Sequence, residues 1–294
     1  MVTGNCSAVG LAAALQLVFP DDVVEARRLL VEHDDDITAA LSDADAWIAQ
    51  ASHHNDYLLE HSAASAPPIV YPAIVFSGFH PDLAYAWHRE LFEADPRARL
   101  PSHLFLGVSG YHSAIGLWAW RRRLSPQAAA KLFTPVAFTQ LGYSDVYRED
   151  IDLLREAFET AGLDFSWFWL RAKRLGVFMH TIDHPRVEPI ALLAKLLALR
   201  LGMPRAQLEL PLERHLPDDL VSVAVWPVYP EIARHLGVTD SYLFSFGLSA
   251  YSLKDFLKAQ WSAYGDADPA GVYCPRLEDG LFDSVLEPLV EGAQ

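Results

Sequence analysis

The chain has 294 residues, 51% hydrophobic and 21% charged, a composition of globular material able to bury a large core rather than of a disordered chain. Its 38 acidic against 23 basic residues leave a formal net charge of −15 at pH 7, which argues against a nucleic-acid backbone or an anionic membrane as the main partner. Two cysteines, Cys6 and Cys274, form no disulfide framework, and a reducing, cytoplasmic setting is expected.

Val2 and Thr3 make the stub of a strand, and Val9, Leu11, Ala12, Leu15, Val18 and Phe19 recur at helical spacing until Pro20. This apolar stretch has no Lys or Arg before it and Asp21 and Asp22 after it, so a signal peptide is not expected. No run reaches the ~20 apolar residues that a membrane-spanning helix needs. Further short strands are expected at 23–26, 46–51 and 69–76, each ending in small or polar residues. That pattern points to a buried parallel sheet with functional loops at the carboxyl ends of its strands. The acidic run at 32–36 and the polar cluster at 53–56 are expected to be solvated loops, and Asp82 to cap a helix over the segment that follows it.

From His112 onward the apolar period becomes 3.6. "SAIGLWAWRRRLS" predicts an aromatic helix ending in three arginines. Ser125 is the expected N-cap of a helix with Pro126 in its first turn, and Asp164 starts another at "DFSWFWLRAKRLG". "SDVYREDIDLLREAFETAG" ends at Gly162, and a long helix over 189–201 closes at Gly202. Residues 204–217, rich in proline, form a connector, and helices are expected in "YPEIARHLGV" and "SLKDFLKAQWSAYG". The expected fold is α/β: a small N-terminal, mainly parallel sheet with an extensive helical body, α-rich overall. The α/β core falls in 1–110 and the mainly helical part in 111–294.

Four clusters place His, Cys or Ser beside Gly, Pro or a strand end: "GNC" at 4–6, "SGFHPD" at 77–82, "SGYHSA" at 109–114 and "MHTIDHP" at 179–185. A free thiol is only a few per cent ionised at neutral pH, and a helix amino terminus or a neighbouring His lowers its pKa. Cys6 stands where such a dipole would act, with Asn5 or backbone amides able to hold an oxyanion. A cysteine packed under the sheet is the alternative. His80 precedes Pro81, which favours an extended backbone, and Asp82 could orient it. Ser113 or His112 either caps the following helix or serves the site. His180 and His184 are four apart, as in zinc-binding helices, but Thr181 stands where the motif has Glu, and Pro185 opposes helical geometry, so no metal is expected. Arg121, Arg122 and Arg123, and the cluster at 171–174, complement helix carboxyl ends or bind an anion. Neither a G-x-G-x-x-G nor a G-x-x-x-x-G-K-[ST] fingerprint is present.

In this order, "GNC … YPAIVFSGFHPDLAY … GYHSAIGLWAWRRRLSPQAAAKLF … FMHTIDHPRVEPIALLAKLLALRLG … YPEIARHLGV" resembles the WcbI-type capsular polysaccharide biosynthesis family from Gly4 to about Gly237. The resemblance implies one domain over 1–294 and transfer of an acetyl group from acetyl-CoA to a sugar hydroxyl of a surface polysaccharide. Coenzyme A and a carbohydrate acceptor are then the partners, and no metal is needed. The family's G-N-C start falls on Gly4, Asn5 and Cys6, and its F-S-G-[FY]-H-P-D on Phe76, Ser77, Gly78, Phe79, His80, Pro81 and Asp82. Its Y-H-S falls on Tyr111, His112 and Ser113, and its M-H-[TS]-x-[ND]-H-P on residues 179–185, with His180 and His184. Ser7 stands where the family usually carries Gln. The expected catalytic residues are Cys6, as nucleophile or lining group, and His80 or His112 as base. Gly4, Asn5, Ser77, Gly78, Asp82, Tyr111, Ser113, His180, His184, Arg121 and Arg122 are expected to bind substrate or cofactor. Two alternatives stand beside this reading: a thiol-based ester or thioester hydrolase, and a non-catalytic CoA- or glycan-binding component of a polysaccharide assembly complex.

Overall fold

Four three-residue strands, β1 (Val2–Gly4), β2 (Ala26–Arg28), β3 (Ile48–Gln50) and β4 (Ile69–Tyr71), pair in the order β2-β1-β3-β4, all parallel. The structure, a computed structural model, describes residues 1–29, 31–61, 67–90, 111–265 and 267–291. It divides into two units, each discontinuous in sequence: 1–76 with 150–221, and 77–149 with 222–294. The α/β class expected from the strand-helix order is the one observed, with helix the commoner element.

The first unit holds the parallel sheet. Helices α1 (Ser7–Val18), α2 (Asp34–Ser42) and α3 (His53–His61) follow β1, β2 and β3. α1 carries no charged side chain and buries Ala8, Leu11, Ala12, Ala14, Leu15 and Val18, as its spacing predicts. α2 and α3 replace the two loops expected at 32–36 and 53–56. Asp34, Asp35 and Asp36 occupy the first turn of α2, where negative charge complements the helix dipole, so an acidic run that looks merely solvated starts a helix. The strands are shorter than their apolar runs, and the second begins at Ala26 rather than Val23. Beneath the strand ends runs a buried polar chain. Trp47 Nε1 donates to Thr3 Oγ1 at 2.8 Å, Thr3 Oγ1 donates to Asn55 Oδ1 at 2.8 Å, and Asn55 Nδ2 donates to the Gln50 carbonyl at 2.7 Å. Every link is satisfied, so these groups fix the strand ends instead of destabilising them.

The second unit contains three two-stranded pairs: β5 (Leu83–Ala84) with β7 (His112–Ser113), β6 (Trp87–His88) with β10 (Val272–Tyr273), and β8 (Leu243–Phe246) with β9 (Ser249–Ser252). Strands therefore replace the first part of the helix expected after Asp82, because antiparallel partners far along the chain claim the backbone of 83–84 and 87–88, and residues 89–90 are helical. Helices α4 (Ala114–Arg121), α5 (Pro126–Ala130) and α6 (Pro135–Gln140) begin at Ser113, Ser125 and Thr134, whose hydroxyls accept from Gly116, Ala128 and Ala137 amides. The unit boundary falls inside α7 (Tyr143–Thr160). α8 (Phe165–Ala172), capped by Asp164, and α9 (Val187–Arg200) belong to the first unit. α10 (Pro230–Leu236), α11 (Leu253–Tyr264) and α12 (Leu281–Glu291) belong to the second. α9 packs on α1, with Ile190 facing Gly10. No helix among the described residues is long and apolar enough to cross a membrane.

Candidate functional site

In the first unit the chain leaves β1 to one side for β2, and β3 adds on the other side of β1, so the sheet order reverses between β1 and β3. In open parallel sheets ligands bind outside the carboxyl ends of the strands at such a reversal. Gly4, Asn5 and Cys6 occupy this point. A Cβ at Gly4 would overlap the Tyr71 hydroxyl and lie 3.2 Å from Gln50 Cβ, so glycine is required for β1 to sit this close to β3 and β4. The Asn5 amide donates to Gln50 Oε1 at 3.0 Å, and Asn5 Oδ1 accepts from both the amide and hydroxyl of Ser7, at 3.0 and 2.7 Å. Asn5 Oδ1 thus holds the turn into α1. Gln50 is buried, and its Nε2 has no partner among the described residues.

Cys6 is the residue before α1, and its thiol is exposed, whereas Cys274 is buried. The expectation of a depressed thiol pKa does not hold. Partial desolvation and then the Asp183 carboxylate push Cys6 above its ordinary value, against a smaller downward pull from the Arg28 guanidinium. Arg28 ends β2 in register with Gly4. The resting thiol is therefore protonated at neutral pH, and nucleophilic use of Cys6 needs a base.

His180 and His184 lie in the same unit as Cys6, on a tight connection rather than a helix. Met179 and Pro185 form an antiparallel bridge, the His180 amide donates to the His184 carbonyl at 2.8 Å, and the His184 amide donates to Thr181 Oγ1 at 3.2 Å. The two rings are not on one helical face, as Pro185 predicts. His180 Nε2 meets both Asp218 oxygens, at 2.8 and 3.0 Å. Burial lowers the His184 pKa, which Asp183 opposes. Asp218, one residue past the connector expected at 204–217, is a partner of His180 that only the tertiary structure reveals. Arg171 lies over the Trp167 ring at 4.0 Å, an arrangement that engages the cation at the end of α8.

The second unit collects the remaining predicted residues. Ser77, Gly78, Phe79 and His80 form a turn closed by the His80 amide on the Ser77 carbonyl at 2.7 Å. His80 Nδ1 lies 3.3 Å from the Pro227 carbonyl, which can only accept, so Nδ1 carries the hydrogen and Nε2 the lone pair. His112 Nδ1 pairs with the Tyr264 hydroxyl at 2.8 Å, and both imidazoles are buried. Asp82 does not orient His80. It is completely buried and accepts four hydrogen bonds, from Ser113 Oγ at 2.5 Å, Tyr229 Oη at 2.8 Å, Tyr143 Oη at 2.9 Å and the Ile115 amide at 3.0 Å. Burial raises its pKa and these donors oppose the rise. Asp82 and the N-cap Ser113 thus join β5, β7, α4, α7 and α10. Arg276 donates to the Pro81 and Leu83 carbonyls and lies over the Tyr143 ring, a brace nearly two hundred residues away in sequence.

Gly78 lines a cavity of about 210 Å³ with Phe138, Tyr143, Tyr147, Glu231 and Arg234. The Tyr111 carbonyl accepts from Gln260 Nε2 at 3.1 Å. Arg121 pairs with Glu278 at 3.0 Å, and Arg122 with Asp283 and Glu287 at 2.5 and 2.8 Å, so acids of the same unit compensate both cations. Segment 91–110, with the start of the "SGYHSA" motif, lies outside the described residues. Among the described residues no group of three or more His, Cys, Asp or Glu is placed to hold a metal ion.

Comparison with known proteins accounts for the order of these motifs. A solved structure of WcbI, described as a novel polysaccharide biosynthesis enzyme in its native form without a disulfide bond between CoA and a cysteine, matches 99% of this chain. The match covers 96% of that chain at 17% identity with a TM-score of 0.68, which shows a shared fold. No curated protein matches. The model of the family described as polysaccharide biosynthesis enzyme WcbI matches residues 1–206, and the chain belongs to that family.

Proposed function

We propose that the protein transfers an acetyl group from acetyl-CoA to a sugar hydroxyl in surface-polysaccharide biosynthesis, with the thioester delivered to Cys6 at the carboxyl end of β1. The observation that carries this reading is the exposed thiol at the sheet's reversal point, directly before α1. The dipole at the start of a helix favours developing negative charge, so the carbonyl oxygen of a thioester placed there gains stabilisation as it becomes an oxyanion. The description of the WcbI structure, which names CoA and a cysteine together, supports the same partner for Cys6. The raised thiol pKa favours a Cys6 that lines the site, with attack by the sugar oxygen, over one that rests as a thiolate.

The test is turnover of acetyl-CoA by the full chain with and without capsule-type oligosaccharides, with the product weighed by mass spectrometry. Acetylated sugar and free CoA in equal amounts are expected. Equal acetyl-CoA loss without any sugar would make the protein a thioester hydrolase. Saturable CoA binding with no turnover under either condition would make it a binding component.

A further inference from the structure

We propose that His180, oriented by Asp218, is the general base of this acyl transfer; the assignment rests on the acyl-transfer reading above. A base that works at a thioester needs a ring nitrogen with a free lone pair and a partner that fixes which nitrogen has it. His180 Nε2 faces both carboxylate oxygens of Asp218, which only accept, so Nε2 carries the hydrogen and Nδ1 the lone pair. His180 makes no other side-chain hydrogen bond among the described residues, so Nδ1 is left available. The backbone that carries the ring is fixed by the His180 amide on the His184 carbonyl. The ring is 6% exposed, buried enough to strengthen its pairing with the carboxylate.

Placement supports the assignment. His180 and Cys6 belong to one unit. The connection that carries His180 also carries Asp183, whose charge acts on the Cys6 thiol, and it is tied to the chain that follows β4 by the Phe76 amide on the Ile182 carbonyl at 2.7 Å. His80 Nδ1 pairs with the Pro227 carbonyl and His112 Nδ1 with the Tyr264 hydroxyl, while Asp82, the carboxylate nearest His80 in sequence, accepts from four other donors.

In the step itself the sugar O–H bond breaks, its proton passes to His180 Nδ1, and the oxygen bonds to the thioester carbonyl carbon. The resulting imidazolium is stabilised by Asp218. The carbon–sulfur bond then breaks, the CoA sulfur leaves with the electron pair and takes the proton from His180, and the products are the acetyl ester and CoA thiol. Asp218 is a positioning residue and does not itself take the proton.

Acetyl-CoA turnover with acceptor and CoA affinity are measured together for wild type, His180→Asn, Asp218→Asn, Asp218→Glu and, as a control on an exposed ring, His53→Asn. His180→Asn should lose on the order of 10²–10⁴-fold in kcat with CoA affinity within about twofold. Asp218→Asn, which favours the wrong tautomer, should lose kcat without a matching change in KM, and Asp218→Glu should recover part of it. Full turnover by His180→Asn would overturn the assignment. So would loss of turnover in His80→Asn or His112→Asn while His180→Asn stays active. A parallel loss of CoA binding and of melting temperature in both His180→Asn and Asp218→Asn would reduce the pair to a structural contact and overturn it too. A wild-type protein that consumes no acetyl-CoA under any condition defeats the acyl-transfer reading and the base with it. Active wild type with an indifferent His180 defeats the base alone.

Discussion

Two polar clusters, one in each unit, are built in opposite ways. In the second, Asp82 meets four donors and Ser113 is both N-cap and donor, so the network is closed. In the first, the polar groups around β1 leave functions over: an exposed Cys6 thiol, a Gln50 amide nitrogen without a partner among the described residues, and a His180 fixed through one nitrogen only. A saturated network holds strands and helices together, and an unsaturated one keeps groups for a ligand. Two motifs that look alike in sequence, each a His beside Gly or Pro at a strand end, thereby have different physical roles.

The largest expected effect lies in the closed network. Asp82→Ala strands a hydroxyl from each of Ser113, Tyr143 and Tyr229 and the Ile115 amide in a fully buried place, and should cost about 3–5 kcal/mol. A thermal melt checks this, and a loss within a degree or two of wild type would end the distinction between the units. Gly4→Ala is next. The added methyl meets the Tyr71 hydroxyl and should cost about 1–3 kcal/mol by overpacking. Adding Tyr71→Phe should restore part of that loss, because the hydroxyl is the obstructing group; a strictly additive double variant would show that the backbone, not the hydroxyl, objects.

A smaller effect depends on pH. Burial holds the His184 pKa below its ordinary 6.5, so the unfolded chain takes up a proton at a higher pH than the folded one. Its stabilising contribution is present above about 6.5 and is lost as pH falls toward the folded value, by at most about 1.4 kcal/mol per pH unit. Denaturant titrations of wild type and His184→Gln between pH 7.5 and 5 should show the wild type losing the more stability on acidification. Parallel curves would place that ring in solvent.

What could be read in advance follows from the range of the forces involved. β1, α1 and the capped helices at Ser113, Ser125 and Asp164 announce themselves through local periodicity and short side-chain hydrogen bonds, and they are found where expected. The strands after Asp82 do not, because their partners at 112–113 and 272–273 come from elsewhere in the chain. α2 was hidden by its own acids, which suggest solvent until the helix dipole is counted. The motif order located Cys6 at a strand-to-helix turn, and the turn is there. The thiol's upward shift was not legible, since it comes from desolvation and from Asp183, far along the chain. Asp218 and Arg276 carry no motif at all, and only the fold gives them partners.

The central claim is that coenzyme A presents its sulfur end at Cys6, and protection of that thiol tests it most directly. With the intact chain at pH 8, iodoacetamide labelling followed by peptide mass mapping should modify exposed Cys6 and spare Cys274, whose thiol burial pushes up to about 11. Saturating CoA should slow labelling of Cys6 at least tenfold. Labelling of Cys6 at an unchanged rate under saturating CoA would contradict the account.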